Sequence, residues 1–105
     1  MKTRITDKHL RFRLSQEDIS KLASEKTVAT TTVFSPLAQL KIEISLWNLD
    51  TNLATFEHNT IKLQVGENAF HQWARSDEEG LYFQQEASAL STLEFAIEKA
   101  FPCKH

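Results

Sequence analysis

An α+β fold, a mostly antiparallel sheet of about six to seven strands with two short helices, is predicted by three features of this 105-residue chain. Several runs alternate apolar and polar residues with period two, the mark of half-buried strands. Two segments switch to helical spacing behind start signals. Those helical segments come singly between strands, not in strict alternation, which favours an antiparallel sheet over a doubly wound one. The alternative is a small, partly open β-barrel with helices, since seven strands could curl.

Each element follows from its residues. In the first stretch Leu10, Phe12 and Leu14 point one way and Arg11 and Arg13 the other. Ile5 has the opposite parity to Leu10, so a turn or bulge at Thr6-Asp7-Lys8 is required for Ile5 to reach the same core. Ser15 begins a helix: it is an N-cap residue, Asp18 is the acid of a short capping box, and Leu14 can staple onto Ile19. Ile19, Leu22 and Ala23 form its narrow apolar stripe. Thr27 to Phe34 is dense in Thr and Val and closes at Ser35-Pro36, because proline cannot continue a central ladder.

Leu40, Ile42, Ile44 and Leu46 face inward on the next strand, with Lys41, Glu43, Ser45 and Trp47 outward. A turn at Asn48 to Asn52, a strand from Leu53 to Glu57, a tight turn at His58-Asn59 and a return strand through Ile61, Leu63 and Val65 read as an antiparallel meander. From Gly66 the spacing is helical again, with Phe70, Trp73 and Ala74 in one arc, ending near Arg75 before the acidic turn Asp77 to Gly80. Strands from Leu81 to Ala87 and from Thr92 to Lys99 complete a single domain over residues 1–105, with no internal repeat visible. Leu10, Phe12, Leu14, Ile42, Ile44, Ile61, Leu63, Phe95 and Ile97 are expected to share one core, onto which Ile19, Leu22, Phe70 and Trp73 dock the helices.

Composition narrows the function. At 41% hydrophobic and 25% charged the chain is ordinary globular material, and a net charge of -2 predicts no obligatory nucleic-acid partner. One cysteine cannot form an internal disulfide, and the polar start lacks the apolar run of a secretory signal, so a reducing cytosol and no membrane are expected. Two glycines, Gly66 and Gly80, stand far apart, which excludes glycine-rich phosphate loops and the glycine-flanked nucleophile elbow.

Three blocks are similar to a family of short, mostly bacterial proteins known only as a domain of unknown function. They are the start Lys2-Thr3-Arg4-Ile5 with Leu10-Arg11-Phe12-Arg13-Leu14-Ser15, then Gln72-Trp73-Ala74 running through Asp77 to Gly80, and last Glu98-Lys99 with Phe101 and Cys103. Ala100 stands where that family usually has Asp. The resemblance implies no activity and no catalytic residue.

Residues able to carry chemistry are few. Cys103 and His105 are close enough to share a soft metal, but a closed zinc site needs two more ligands, and His9, His58 and His71 lack paired spacing. The pair therefore reads as a terminal feature, with no metal and no cofactor expected. Cys103 could instead be a nucleophile served by a histidine; Glu67 could in principle orient His71 from one helical turn away.

Charge is uneven. Residues 1–14 hold Lys2, Arg4, Lys8, Arg11 and Arg13 against Asp7, a balance of +4, leaving the remainder at -6. Arg11 and Arg13 lie on one strand face about 7 Å apart and, with Arg4, could grip an anion. The preferred account pairs Arg11 and Arg13 with Glu94, Glu98 or Glu43 on neighbouring strands. Nucleic acid is not expected there, because Phe12 points to the core and leaves no stacking platform among the basic side chains. Trp47 and Tyr82 fall on outward parity, which marks an interaction surface for an unknown protein partner or for self-association as a homodimer. The functional reading is a small cytosolic binding or protein-interaction module. The alternative is a small thiol-dependent enzyme using Cys103 with a histidine, and a metal-binding module is third.

Overall fold

A computed structural model describes residues 1–101. Its elements run β1 (Lys2–Ile5), β2 (His9–Leu14), α1 (Gln16–Glu25), β3 (Thr27–Ser35), β4 (Ala38–Trp47), β5 (Leu53–Glu57), β6 (Thr60–Gly66), α2 (Glu67–Ala74), β7 (Gly80–Ser88) and β8 (Ser91–Lys99). The α+β class holds, and the sheet count does not. Eight strands form two four-stranded mixed sheets, not one mostly antiparallel sheet and not a closed barrel. Sheet A has the order β1-β2-β8-β7 and sheet B the order β3-β4-β6-β5.

The first stretch divides into β1 and β2 because Thr6 to Lys8 turns the chain, with the Thr6 N–H donating to the His9 carbonyl at 2.9 Å. Ile5 remains 54% exposed. The expected meander is also corrected: β6 inserts between β4 and β5, antiparallel to β5 and parallel to β4. Sheet A holds the matching parallel pair, β2 with β8. Parallel neighbours need a crossover: the one from β4 to β6 carries β5, and the one from β2 to β8 carries both helices.

The two sheets are copies of one design. The chain is a tandem of two units, each a hairpin, a helix and a second hairpin. Each sheet takes one hairpin from each unit. The correspondence extends to single bonds. Lys41 N–H donates to the Asn59 carbonyl as Glu94 N–H does to the Lys8 carbonyl, at 3.0 and 2.9 Å. Leu46 N–H donates to the Lys26 carbonyl as Lys99 N–H does to that of Glu79, both at 2.9 Å. The long hairpins share a bulge, between Val33 and Ser35 in one and between Glu86 and Ser88 in the other.

Apolar faces meet in one core. Phe12, Leu14, Phe95 and Ile97 from sheet A pack with Ile44, Leu63 and Val65 from sheet B, and Leu22, Phe70 and Trp73 bring in the helices. Ile42, Ile61 and Ile19 pack against it while partly buried. The α1 start forms the expected capping box, Asp18 N–H to Ser15 Oγ at 3.1 Å and Ser15 N–H to Asp18 Oδ2 at 2.9 Å. Lys26 ends the helix in the left-handed region at φ 64°. Lys99, where the first unit has Leu46, is 4% exposed; its ammonium donates to the Ser76 carbonyl at 2.5 Å and lies over the Trp73 ring.

Candidate functional site

The outer face of sheet A gathers most of the residues singled out above. Antiparallel pairing sets Lys2 opposite Arg13 and Arg4 opposite Arg11, so the hairpin carries four exposed cations in two directly facing pairs. Like charges facing across a ladder destabilise it. Next to them β8 presents Glu94, Ala96 and Glu98, and beyond it β7 presents Tyr82 and Gln84.

Neutralisation is partial. Arg11 Nε lies 3.2 Å from Glu98 Oε1, and the Tyr82 hydroxyl donates to Glu98 Oε2 at 3.1 Å. Burial, with the adjoining Glu98 and Glu79 carboxylates, pushes the Tyr82 hydroxyl above its ordinary pKa. His9 pairs with Glu94. Among the described residues Lys2, Arg4 and Arg13 have no carboxylate partner. The expected pairing of Arg11 with Glu98 is thus present, and that of Arg13 is not. A depression of about 490 Å³ opens beside the cations, walled by His9, Arg11, Tyr82, Gln84 and Glu94 over the small Ala96.

Tyr82 owes its pose to Gly80. A β-carbon at Gly80 would come within 2.4 Å of the Tyr82 ring, so the absent side chain is what lets the ring lean across β7 toward Glu98. Parity alone marked Tyr82 as outward; its contact with Glu98 depends on the pairing of β7 with β8.

Sheet B offers an internal control. At the positions equivalent to Lys2, Arg4, Arg11 and Arg13 it carries Leu53, Thr55, Lys62 and Gln64. Its charges are balanced locally, with Glu43 between Lys41 at 3.2 Å and Lys62 at 3.6 Å. Burial raises the Glu43 pKa, but the Ser45 hydroxyl bond and the two lysines outweigh it and hold the carboxyl below its ordinary value. The same ladder therefore forms without four cations.

The other candidates lie apart. Trp47 is half-buried on the outer face of sheet B, its indole N–H donating to the Thr51 carbonyl at 2.6 Å. Glu67 approaches Lys26 at 3.6 Å, while His71 packs edge-on to Phe70, so Glu67 does not orient the imidazole. Cys103 and His105 lie outside the described residues, among which no group of three His, Cys, Asp or Glu side chains could hold a metal. A second cavity, about 470 Å³, opens between the sheets among Ile5, Leu10, Leu40, Phe56, Ile61 and Leu93, with no basic side chain or histidine in its wall.

A family model matches the chain from end to end, residues 1–105. The chain belongs to DUF7009, a family of unknown function. No curated protein and no solved structure matches it. No described helix of this DUF7009 member is long and apolar enough to cross a membrane.

Proposed function

We propose that this protein is a binding module that takes an acidic segment of a protein partner on the outer face of sheet A. One observation carries the reading: the duplicated ladder forms in sheet B with a single cation at the four equivalent positions, whereas sheet A keeps four, of which one has a carboxylate partner among the described residues. Facing like charges oppose folding, so their retention is explained by a ligand that supplies the missing carboxylates. Arg4 and Arg13 are the gripping residues, and Lys2 adds charge. Arg11, held by Glu98, presents its remaining guanidinium donors; Arg is suited to carboxylates because its donors form a planar fork. Tyr82 and the depression over Ala96 offer a neighbouring aromatic side chain an apolar and hydrogen-bonding rest.

The test is titration with a synthetic oligoglutamate peptide at low and moderate salt, beside single-stranded DNA of equal charge. Binding of the peptide that weakens with salt and is lost in Arg4→Ala/Arg13→Ala, with the circular dichroism spectrum unchanged, is the expected result. No binding at low salt, equal binding by the double variant, or a clear preference for the DNA would each overturn the proposal.

A further inference from the structure

Of the four edge strands, β3 is the exception. β1 carries Lys2 and Arg4, β5 carries Glu57 and β7 carries Glu86, whereas Thr27 to Ser35 holds no charge at all. Edge strands are normally protected by charges, prolines or covering segments, because their unpaired N–H and C=O groups invite another strand. β5 is additionally clamped: Gln85 from β7 accepts from the Ala54 N–H at 2.9 Å and donates to its carbonyl at 3.0 Å. The position equivalent to Gln85 in the first unit is Thr32, with no such bond among the described residues. β3 is left as a nine-residue edge on which only Val28 is buried, with Val33 and Phe34 67% and 70% exposed.

The direction of its free groups follows from the ladder. Leu46 N–H donates to the Lys26 carbonyl, so residues in phase with Lys26, namely Val28, Thr30 and Thr32, bond to β4. Thr27, Ala29, Thr31 and Val33 then turn four N–H and four C=O groups to the outside. One antiparallel register of β3 against a second β3 uses all eight: Thr27 faces Val33 of the other copy, Ala29 faces Thr31, and Thr30 faces Thr30 on the twofold axis. A slip of the register in either direction leaves some of them unpaired. β-Branched residues dominate the contact, and no charge meets a charge. Eight backbone bonds lie within the usual complement of a specific interface, about 5 to 15.

We infer that a second copy of this chain docks on β3 in that register, joining two B sheets into one eight-stranded sheet in a twofold-symmetric dimer. The surface is separate from the basic face of sheet A, so either conclusion can fail without the other.

Equilibrium sedimentation of the full chain is the first measurement, with twice the 12.1 kDa chain mass expected. Thr31→Pro removes one outward N–H that the monomer does not use. Proline is tolerated at such edge positions, so this variant is expected to keep its fold and to raise the dimer Kd by about tenfold or more. In a Cys103→Ser background, Thr30→Cys is expected to cross-link on oxidation, because two residues facing across a non-hydrogen-bonded pair have the separation a disulfide requires. Cysteine at Thr32 in the same background is expected not to. A monomer at high micromolar concentration, a dimer indifferent to Thr31→Pro, or cross-linking at Thr32 in place of Thr30 would each overturn the inference.

Discussion

Removing Arg13 should leave the fold as stable as before or slightly more so, whereas removing Arg11 should weaken it. Side chains facing across an antiparallel pair have β-carbons about 5 Å apart, which sets extended charged heads about 6 Å apart. At that distance two exposed like charges repel by about 0.7 kcal/mol in water, and by about 0.4 kcal/mol once screened at 0.1 M salt. Arg13→Ala removes this repulsion from Lys2 and breaks no ion pair among the described residues. Its expected effect is a gain of no more than about 0.4 kcal/mol, less any packing lost with the aliphatic stem. Arg11→Ala relieves Arg4 by the same amount but strips Glu98, whose side chain is 12% exposed, of its guanidinium at 3.2 Å. That pair lies at the upper end of the range for surface pairs, about 1 kcal/mol. The two variants should therefore differ by about 1 kcal/mol, a separation of about 4 to 8 °C in Tm for a domain of this size. Thermal unfolding at 0.1 M and 1 M salt measures it, and the gap should narrow at the higher salt. A loss of more than about 1 kcal/mol from Arg13→Ala would refute the reasoning, since it would mean that Arg13 has a stabilising partner.

Three further outcomes follow from the geometry. Burial raises the Asp18 pKa, but the Ser15 backbone and hydroxyl bonds and the N-terminal ammonium at 2.9 Å outweigh it and hold the carboxyl below its ordinary 3.8, as Glu43 is held below 4.5. Depressed carboxyls stabilise the fold above those ordinary values and lose that contribution as pH falls through the lower folded ones, so Asp18→Asn/Glu43→Gln should be less stable at neutral pH and flatter in its melting profile through the acid range. Lys26→Gly should stabilise by about 0.5 to 1 kcal/mol in urea unfolding, because glycine removes the left-handed strain at φ 64° and forfeits only an exposed 3.6 Å contact with Glu67. Gly66→Ala should destabilise by about 1 to 3 kcal/mol, since its β-carbon would stand 2.7 Å from the Leu49 carbonyl oxygen, a backbone atom of the segment joining the two units; unchanged stability would show that this segment yields freely.

Local chemistry placed the elements of this chain from β2 onward, with β1 read as part of the same stretch as β2. Alternation identified the strands, the Ser15–Asp18 box opened α1, and Asn59 and His58, both at positive φ, made the tight turn between β5 and β6. Parity also put Arg11 and Arg13 on one face and Phe12 and Ile44 in the core. Parity states which residues share a face of a strand and is silent about which strands lie side by side. For that reason the insertion of β6 between β4 and β5, the two parallel pairs and the division into two sheets emerged only from the fold. The internal repeat was hidden because matched positions keep hydropathy and not identity: Phe12 with Leu63, Ile19 with Phe70 and Leu22 with Trp73. The linkers also differ, Lys26 alone after α1 against Arg75 to Glu79 after α2. The site divides in the same way. Basic residues near the start of the chain are legible as a charge count, but only pairing decides that Arg4 faces Arg11, that Glu98 neutralises Arg11 and meets Tyr82, and that Arg13 has no carboxylate partner among the described residues. Charge is carried by single residues, whereas its compensation depends on distances between strands far apart in the chain.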